Sequence, residues 1–208
     1  MLDGRSNGLP RTETEVRGED WSDRDLSGQS FERVAFVDVD LMEVVESGAS
    51  FTECTFSTCR FNASRHTAAA FVSCTFSHCT FWDTAFTGCK LIGSTFDRCE
   101  FSLLTVEGGD WSFVGLAGAR LDKASFSQVR MREAELTGAR LVDATMHGVD
   151  LSGASLHRAD LTRADLRGSD LTSLDPLSTS VRGAIVDVDQ AITLAGALGV
   201  EVLADVRP

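Results

Sequence analysis

The sequence is poor in basic residues and has no long apolar run. Its 208 residues include 19 Lys and Arg against 31 Asp and Glu, a formal net charge of −12 at pH 7. A nucleic-acid-binding protein needs Lys and Arg to neutralise phosphates, so we expect no direct nucleic-acid binding. No run of about 18 apolar residues is present, which predicts no membrane span. The amino terminus lacks the apolar core of a signal peptide, so we expect a cytoplasmic protein.

The sequence also lacks the short motifs that accompany most catalytic and cofactor sites. It contains no Gly-rich phosphate-binding loop, no nucleophile elbow and no Cys and His residues at the spacing of metal ligands. We therefore predict no enzyme, no catalytic residue, no metal site and no cofactor.

What the sequence does contain is a repeat of five residues. Stepping by five from Trp21 to Val186 meets 34 positions, of which 31 are apolar, and only Glu46, His66 and Pro176 depart. Neither the period of a helix, 3.6, nor that of a strand, 2.0, generates a strict period of five. The apolar lane therefore indicates a repeat architecture along most of the chain.

A second lane of mostly small side chains lies two residues before each position of the apolar lane. Ala49, Ala139 and Ala159 belong to this small lane, and so do all six cysteines, Cys54, Cys59, Cys74, Cys79, Cys89 and Cys99. A metal site or a set of disulfides is one interpretation of these cysteines. Their spacing of five or twenty follows the repeat, however, and cytoplasmic thiols stay reduced. We interpret them as free, small apolar filler.

The two lanes combine into a consensus A-D-L-x-G, as in Ala164-Asp165-Leu166-Arg167-Gly168. This pattern resembles the pentapeptide-repeat family over roughly residues 19 to 188. The resemblance implies an all-β fold, a right-handed quadrilateral parallel β-helix of about eight coils with twenty residues in each. We expect a flexible amino-terminal tail at residues 1–18, the β-helix at 19–186, and a carboxy-terminal helix and tail at 187–208.

Three polar or proline positions interrupt the apolar lane. Glu46 and His66 lie twenty residues apart, so the resemblance stacks them on one face. They could form a buried pair, a local bulge or part of a functional site. We favour the pair over catalysis because no third group or nucleophile accompanies them in the sequence. Pro176 cannot donate a ladder hydrogen bond and predicts a loop where the coils stop propagating.

The segment from Asp187 to Gly199 has the pattern of a short helix. Asp187 or Asp189 is a suitable N-cap, and Gly199 is suited to the carboxy-terminal end. We expect this helix to cover the open end of the β-helix and to form a homodimer through its apolar side chains, which are Ala191, Ile192, Leu194, Ala195 and Leu198.

Within the pentapeptide repeats, the sequence resembles the MfpA/Qnr group of fluoroquinolone-resistance proteins. The uninterrupted register, the break at Asp175-Pro176 and the ending Val186-Asp187-Val188-Asp189-Gln190 carry the likeness, and the lack of loop insertions favours the MfpA side. The resemblance implies a homodimeric, DNA-mimicking rod that binds DNA gyrase, with topoisomerase IV as a second candidate partner. Such a rod competes with DNA and confers quinolone resistance or protects gyrase from poisons.

One face of the expected rod carries the largest excess of acidic residues, a net charge of −4. Its carboxylates are the candidate partner-binding residues: Asp20, Asp23, Asp40, Glu43, Asp83, Glu100, Asp122, Asp143 and Asp160. An acidic surface would attract a basic DNA-binding surface. Two alternatives stay open. Asp is also a good turn residue in such a repeat, and the protein could be a scaffold for an unrelated partner, because a fold does not determine function.

Overall fold

The computed structural model describes residues 11–203, which form a parallel β-solenoid followed by one short helix. Sixteen strands of three or four residues lie along its walls. They are β1 (Thr14–Arg17), β2 (Ser30–Glu32), β3 (Val34–Val37), β4 (Val45–Ser47), β5 (Ser50–Thr52), β6 (Thr55–Ser57), β7 (Arg65–Thr67), β8 (Ala70–Val72), β9 (Thr75–Ser77), β10 (Thr80–Trp82), β11 (Ala85–Thr87), β12 (Thr95–Asp97), β13 (Glu100–Ser102), β14 (Thr105–Glu107), β15 (Ser125–Ser127) and β16 (Thr145–His147).

Every strand pairs with a parallel strand twenty residues away, which confirms the expected coil. The sheet orders are β1-β3-β6-β9-β12, β2-β5-β8, β10-β13 and β4-β7-β11-β14-β15-β16. Isolated bridges extend the ladders beyond these strands. The ladder that begins at Glu15 passes through Ala35 and Thr55 and reaches Ser155, so seven turns of twenty residues join eight stacked layers.

A residue with positive φ lies at most corners of the coil, two positions after the apolar lane. Glu53 (φ 52°), Phe113 (φ 60°) and Gly138 (φ 66°) are examples. The left-handed conformation turns the chain sharply and brings it into the next wall. Residues other than glycine adopt it at a cost of roughly 1–2 kcal/mol each, so the corners are held by the stacked layers around them.

The apolar lane fills the interior with aligned side chains. In the amino-terminal half its phenylalanines stack ring on ring, with centroids 4.8 Å apart for Phe36 and Phe56 and for Phe56 and Phe76, and 4.6 Å for Phe76 and Phe96. After Trp111 the lane consists mainly of leucine, and Leu136 and Leu161 are fully buried. Stacked aromatic pairs contribute about 0.5–1.5 kcal/mol each beyond the burial of their area.

The small lane has a role that its composition did not reveal. The thiol of Cys59 approaches the Phe36 carbonyl at 3.5 Å, and the thiol of Cys79 approaches the Phe56 carbonyl at 3.4 Å. Ser94 and Thr84 donate in the same way to carbonyls 23 residues earlier. The cysteines are free thiols, as expected. They are not merely apolar filler, however, because they donate to buried carbonyls in the layer beneath them.

The solenoid begins earlier than its repeat pattern indicates. Strand β1 pairs with β3 in register, Val16 with Phe36, although this segment lies in the part of the chain that was expected to be a tail. Only the amino-terminal part of that tail, residues 1–10, lies outside the described residues. The lane residue of β1 is Val16, but the lane position before it is Arg11, so the five-residue register weakens there and gives little signal.

The helix α1 (Val188–Ala197) follows the last layer, as the sequence predicts. Asp187 is its N-cap and forms a capping box with Gln190: the Gln190 N–H donates to Asp187 at 2.9 Å, and the Asp187 N–H donates to Gln190 at 2.8 Å. At the other end Gly199 has a φ of 78°, and the Val200 N–H donates to the Ala195 carbonyl at 2.9 Å. These contacts form a Schellman motif.

Gln190 joins the helix to the open end of the solenoid. Its side-chain amide donates to the carbonyls of Leu166 and Ser169 at 2.6 and 2.7 Å, and the side chain is buried. Within the stack, the Val149 carbonyl accepts the Asp170 N–H of the next layer; at the end of the stack, the Gln190 amide takes that place for the Ser169 carbonyl. Pro176 ends the ladder only on its own wall, after Ser155, while another wall continues to Ile185.

Candidate partner-binding face

The acidic face is built by one wall of the solenoid and its corner. Parallel bridges align Asp20 with Asp40, Asp40 with Arg60 and, in the later layers, Arg140 with Asp160. The corner residues Asp23 and Glu43 occupy equivalent places in consecutive layers, twenty residues apart. The nine candidate carboxylates therefore share one side of the rod, as expected, but basic residues stand in the same columns.

Four of the nine carboxylates form ion pairs. The closest nitrogen–oxygen distances are 2.6 Å for Asp40 with Arg60, 2.9 Å for Asp83 with Arg65, 2.9 Å for Asp122 with Arg140, and 2.6 Å for Asp143 with Arg163. The hydrogen bond from Arg163 lowers the pKa of Asp143. These charges are neutralised locally and contribute little to the field that a partner would meet.

Three carboxylates hold the turn of their own coil. Asp20 accepts the N–H and hydroxyl of Ser22 at 3.0 and 2.7 Å, and these hydrogen bonds lower its pKa. Asp40 and Asp160 accept the N–H two residues ahead at 3.0 and 3.1 Å. Such Asx turns explain why Asp is frequent at this position of the repeat. The turn role of Asp is therefore real for these three residues.

The remaining carboxylates, Asp23, Glu43 and Glu100, are exposed and have no hydrogen-bond or ion-pair partner among residues 11–203.

Charge is unevenly distributed along the acidic face. The part of the face from residue 20 to 100 carries six acids and one base, a net charge of −5. The part from residue 120 to 163 carries three acids and four bases, a net charge of +1. The acidic surface is thus confined to the amino-terminal half of the rod.

The expected dimerisation residues do not all lie on one surface. Leu194 packs partly against the solenoid core, and Ala195 is also half-buried. Ala191, Ile192 and Leu198 are exposed. The helix therefore divides its apolar side chains between covering the end of the solenoid and facing solvent.

Glu46 and His66 form the buried pair that the repeat predicts. His66 Nδ1 lies 2.9 Å from Glu46 Oε1, and both side chains are almost fully enclosed. The pair has a third member that the repeat did not predict: Ser64 Oγ lies 2.9 Å from His66 Nε2. A polar residue in the small lane just before His66 was the available signal. Ser64 donates to the Phe61 carbonyl and has no exposed surface, so this serine cannot reach a substrate.

The described residues show no sign of a metal centre or a membrane span. Between residues 11 and 203, no three His, Cys, Asp or Glu side chains are grouped to hold an ion. Within the same range, no helix has the length and apolar character needed to cross a bilayer.

Comparison with known proteins agrees with this architecture. A family model of pentapeptide repeats matches in eight copies, over residues 67–103, 114–148 and 134–172. Two trypsin-treated variants of QnrB1, a plasmid-mediated fluoroquinolone resistance protein, are similar in structure. One has a TM-score of 0.67 at 20% identity, covering 92% of this chain and 99% of the other; the second has 0.65 at 21% identity, covering 93% and 99%. No curated protein matches the sequence. At these identities the likeness concerns the fold.

Proposed function

We propose that this pentapeptide-repeat chain is a binding protein whose partner is a type II topoisomerase, DNA gyrase. The proposed binding surface is the amino-terminal half of the acidic face. By competing with DNA for a basic surface of gyrase, the protein would reduce the action of quinolones and other gyrase poisons.

The distribution of free carboxylates carries the proposal. Asp23, Glu43 and Glu100 are exposed and unpaired among the described residues, on a surface whose net charge is −5. A DNA-binding saddle has the opposite charge, so the two surfaces attract each other over a distance that depends on salt. The similarity to the fold of QnrB1, itself a fluoroquinolone resistance protein, supports the same assignment.

We further propose that the protein is a homodimer joined through the exposed side of α1. Ile192 and Leu198 are about half exposed, at 47% and 51%, and Val202 and Leu203 continue an apolar surface beyond the helix. A second copy would cover these side chains. Joining the rods at this end places the two acidic halves at the distal tips of the dimer.

Neutral substitutions, which remove carboxylates without reversing their charge, test the proposed partner. The triple variant Asp23→Asn, Glu43→Gln, Glu100→Gln removes only free carboxylates, and a matched triple variant, Asp40→Asn, Asp122→Asn, Asp143→Asn, removes three that are already ion-paired. Supercoiling by gyrase is measured with each protein, with and without a quinolone, at low and moderate salt. We expect the wild type to bind gyrase, the first triple variant to bind at least about tenfold more weakly, and the matched variant to change less.

Two results would contradict the proposal. The first is a wild type that leaves supercoiling, quinolone-induced cleavage and gyrase binding unaltered, which would favour a scaffold with another partner. Equal losses in the two triple variants would remove the role of the free carboxylates.

For the dimer, mass in solution is compared for the wild type and Leu198→Asp. A wild-type monomer, or a dimer that persists in the variant, would refute the interface.

A further inference from the structure

One wall of the solenoid is interrupted between two consecutive layers. In intact layers of this wall, the Leu41 N–H donates to the Arg60 carbonyl at 2.8 Å, and the Arg60 N–H donates to the Val39 carbonyl at 3.2 Å. The corresponding bonds would join residues 99–103 to residues 120–122. Across residues 11–203, no hydrogen bond or bridge connects those two segments, although bridges resume from Arg120 to Arg140.

Both lips of this wall split therefore carry unpaired backbone groups. The N–H groups of Phe101 and Leu103 have no acceptor among the described residues, and the carbonyl groups of Arg120 and Asp122 have no backbone donor from them. The three other walls have continuous ladders at this height, such as the bridges that join Lys90, Asp110 and Arg130. The wall split is thus a local edge within a structure that otherwise pairs its backbone.

A cavity of about 520 Å³ occupies the wall split. Trp82, Cys99, Phe101, Arg120 and Asp122 line it. The apolar lane is partly exposed at Phe101, and the small lane is partly exposed at Cys99, whereas their neighbours in the preceding layer, Phe81 and Cys79, are fully buried. The opening therefore reaches from the backbone edges into the apolar interior.

The small lane supplies a physical reason for the opening. From Val34 to Ser169, Leu104 is the one position of this lane that holds a side chain larger than valine. Leu104 is buried, at 1% exposure, beside Phe101 in the same coil. We attribute the partial exposure of Phe101 to this leucine, because a larger side chain in the small lane takes up space that a small one leaves free in other layers.

We infer that the wall split is a binding site for an extended segment of a partner polypeptide, which inserts as an additional strand and directs a large apolar side chain toward Phe101. The unpaired N–H groups on one lip and the unpaired C=O groups on the other match the main chain of a strand, as in other cases of β-augmentation. A cavity of this size accommodates a few residues. The inference rests on the backbone and the cavity and does not depend on gyrase as the partner.

The charges at the two lips restrict which amino-acid sequences the bound segment can have. Glu100 and Arg120 flank the cavity on opposite lips, and neither has an ion-pair partner among the described residues. A segment with a basic residue on one side of its apolar anchor and an acidic residue on the other complements both charges. We therefore expect a charged-apolar-charged pattern with alternate residues inward, as strand periodicity requires.

The thiol of Cys99 reports directly on occupancy. Of the six cysteines, Cys99 alone is partly exposed, and the other five are buried. The probe is a synthetic peptide, acetyl-Lys-Thr-Phe-Thr-Glu-amide, together with its charge-reversed form, acetyl-Glu-Thr-Phe-Thr-Lys-amide. In the folded protein we expect a thiol reagent to modify one cysteine, and a peptide at about ten times its Kd to slow that reaction about tenfold.

Three controls separate strand insertion from other binding. The peptide with an N-methylated phenylalanine keeps the ring but lacks the N–H donor, so it should not protect Cys99. Ser102→Trp fills the opening with the side chain that Trp82 has at the equivalent position one layer earlier, and it should abolish protection. Asn62→Trp introduces tryptophan at the equivalent position of an intact layer and should leave protection intact. Any one of three results would overturn the inference. These are failure of both peptides to protect Cys99 at about 1 mM, equal protection by the N-methylated peptide, and protection retained in Ser102→Trp.

Discussion

From Phe31 to Phe101 the interior of the solenoid is built mainly of phenylalanine over Cys, Ser and Thr, whereas from Leu116 to Leu171 it is built mainly of leucine over alanine. The two halves share one coil of twenty residues and one corner conformation. They differ in how they satisfy the carbonyl group of each apolar-lane residue, which points into the interior.

In the leucine half, a turn within the coil satisfies this carbonyl group. The Ala139 N–H donates to the Leu136 carbonyl at 2.9 Å, and the Ala164 N–H donates to the Leu161 carbonyl at 3.0 Å. In the phenylalanine half, a thiol or hydroxyl from the next layer commonly supplies the donor, as Cys79 does for Phe56. The composition of the small lane thus follows from the backbone of the layer below it. The wall split lies where one arrangement gives way to the other.

The largest expected effect concerns the polar pair in the phenylalanine half. His66→Phe restores an aromatic lane and extends the stack with Phe86, whose centroid is 5.0 Å from the His66 ring. It also leaves the Glu46 carboxyl buried without its partner. We expect a loss of about 3–5 kcal/mol in the free energy of unfolding, measured by chemical denaturation. The double variant Glu46→Leu, His66→Phe should recover the wild-type value or exceed it. A single variant as stable as the wild type would show that the pair is dispensable.

The second prediction tests the thiol donors. Cys79→Ala removes the donor to the Phe56 carbonyl and should lower the free energy of unfolding by about 1–3 kcal/mol. Cys79→Ser keeps a donor and should lose less. Ala139→Ser makes the reverse change in the leucine half, where the turn already satisfies the carbonyl, and should bring no gain. If Cys79→Ala and Cys79→Ser are equally stable, the thiol is only filler and the distinction between the halves disappears.

A third prediction concerns the corners, which the two halves share. Lys123 in the leucine half and Glu53 in the phenylalanine half both have positive φ and exposed side chains. Either residue replaced by glycine should gain up to about 1 kcal/mol by relief of left-handed strain. Replacement by alanine, which keeps the Cβ atom, serves as the control and should bring no gain. Thermal unfolding measures both. A gain in one half only would mean that the corners are not equivalent.

The smallest expected effect is a pH dependence in the leucine half. The hydrogen bond from Arg167 holds the pKa of Asp165 well below its ordinary value, and the imidazole of His147, whose Nε2 lies 2.9 Å from Asp165 Oδ2, contributes less. A carboxyl with a lower pKa in the folded state stabilises the protein fully above its unfolded pKa, and that contribution is lost as the pH falls toward the folded pKa. Asp165→Asn should therefore be less stable than the wild type by up to about 1 kcal/mol at pH 6. On acidification its free energy of unfolding should fall less than that of the wild type. Urea midpoints at several pH values check this, and Asp23→Asn, which removes an unpartnered carboxyl, should show the wild-type slope.

The period of five made the coil, the interior lanes and the carboxy-terminal helix predictable, because each depends on residues at a fixed spacing. Gln190 was not identified, since its contacts with Leu166 and Ser169 exist only once the helix folds back on the last layer. The start of the solenoid at β1 was missed because pairing with β3 holds residues whose own register is weak.

The candidate site was less accessible to sequence reasoning than the fold. The pattern placed Asp40 and Asp143 on one face, but it did not reveal that Arg60 and Arg163 neutralise them across layers. Pairing of charges depends on side-chain conformation, which a repeat does not encode. The wall split was equally hidden, because Leu104 satisfies the apolar pattern and only its size relative to the layer makes the difference.

The wall split also has a consequence for cooperativity. In a solenoid, each layer is stabilised by its immediate neighbours, so the free energy of unfolding is a sum of layer and interface contributions. Losing one ladder of four at a single interface weakens the coupling between the phenylalanine and leucine halves. Amide hydrogen exchange should therefore show residues 13–98 and 116–186 opening as two separate units, with the boundary at this interface.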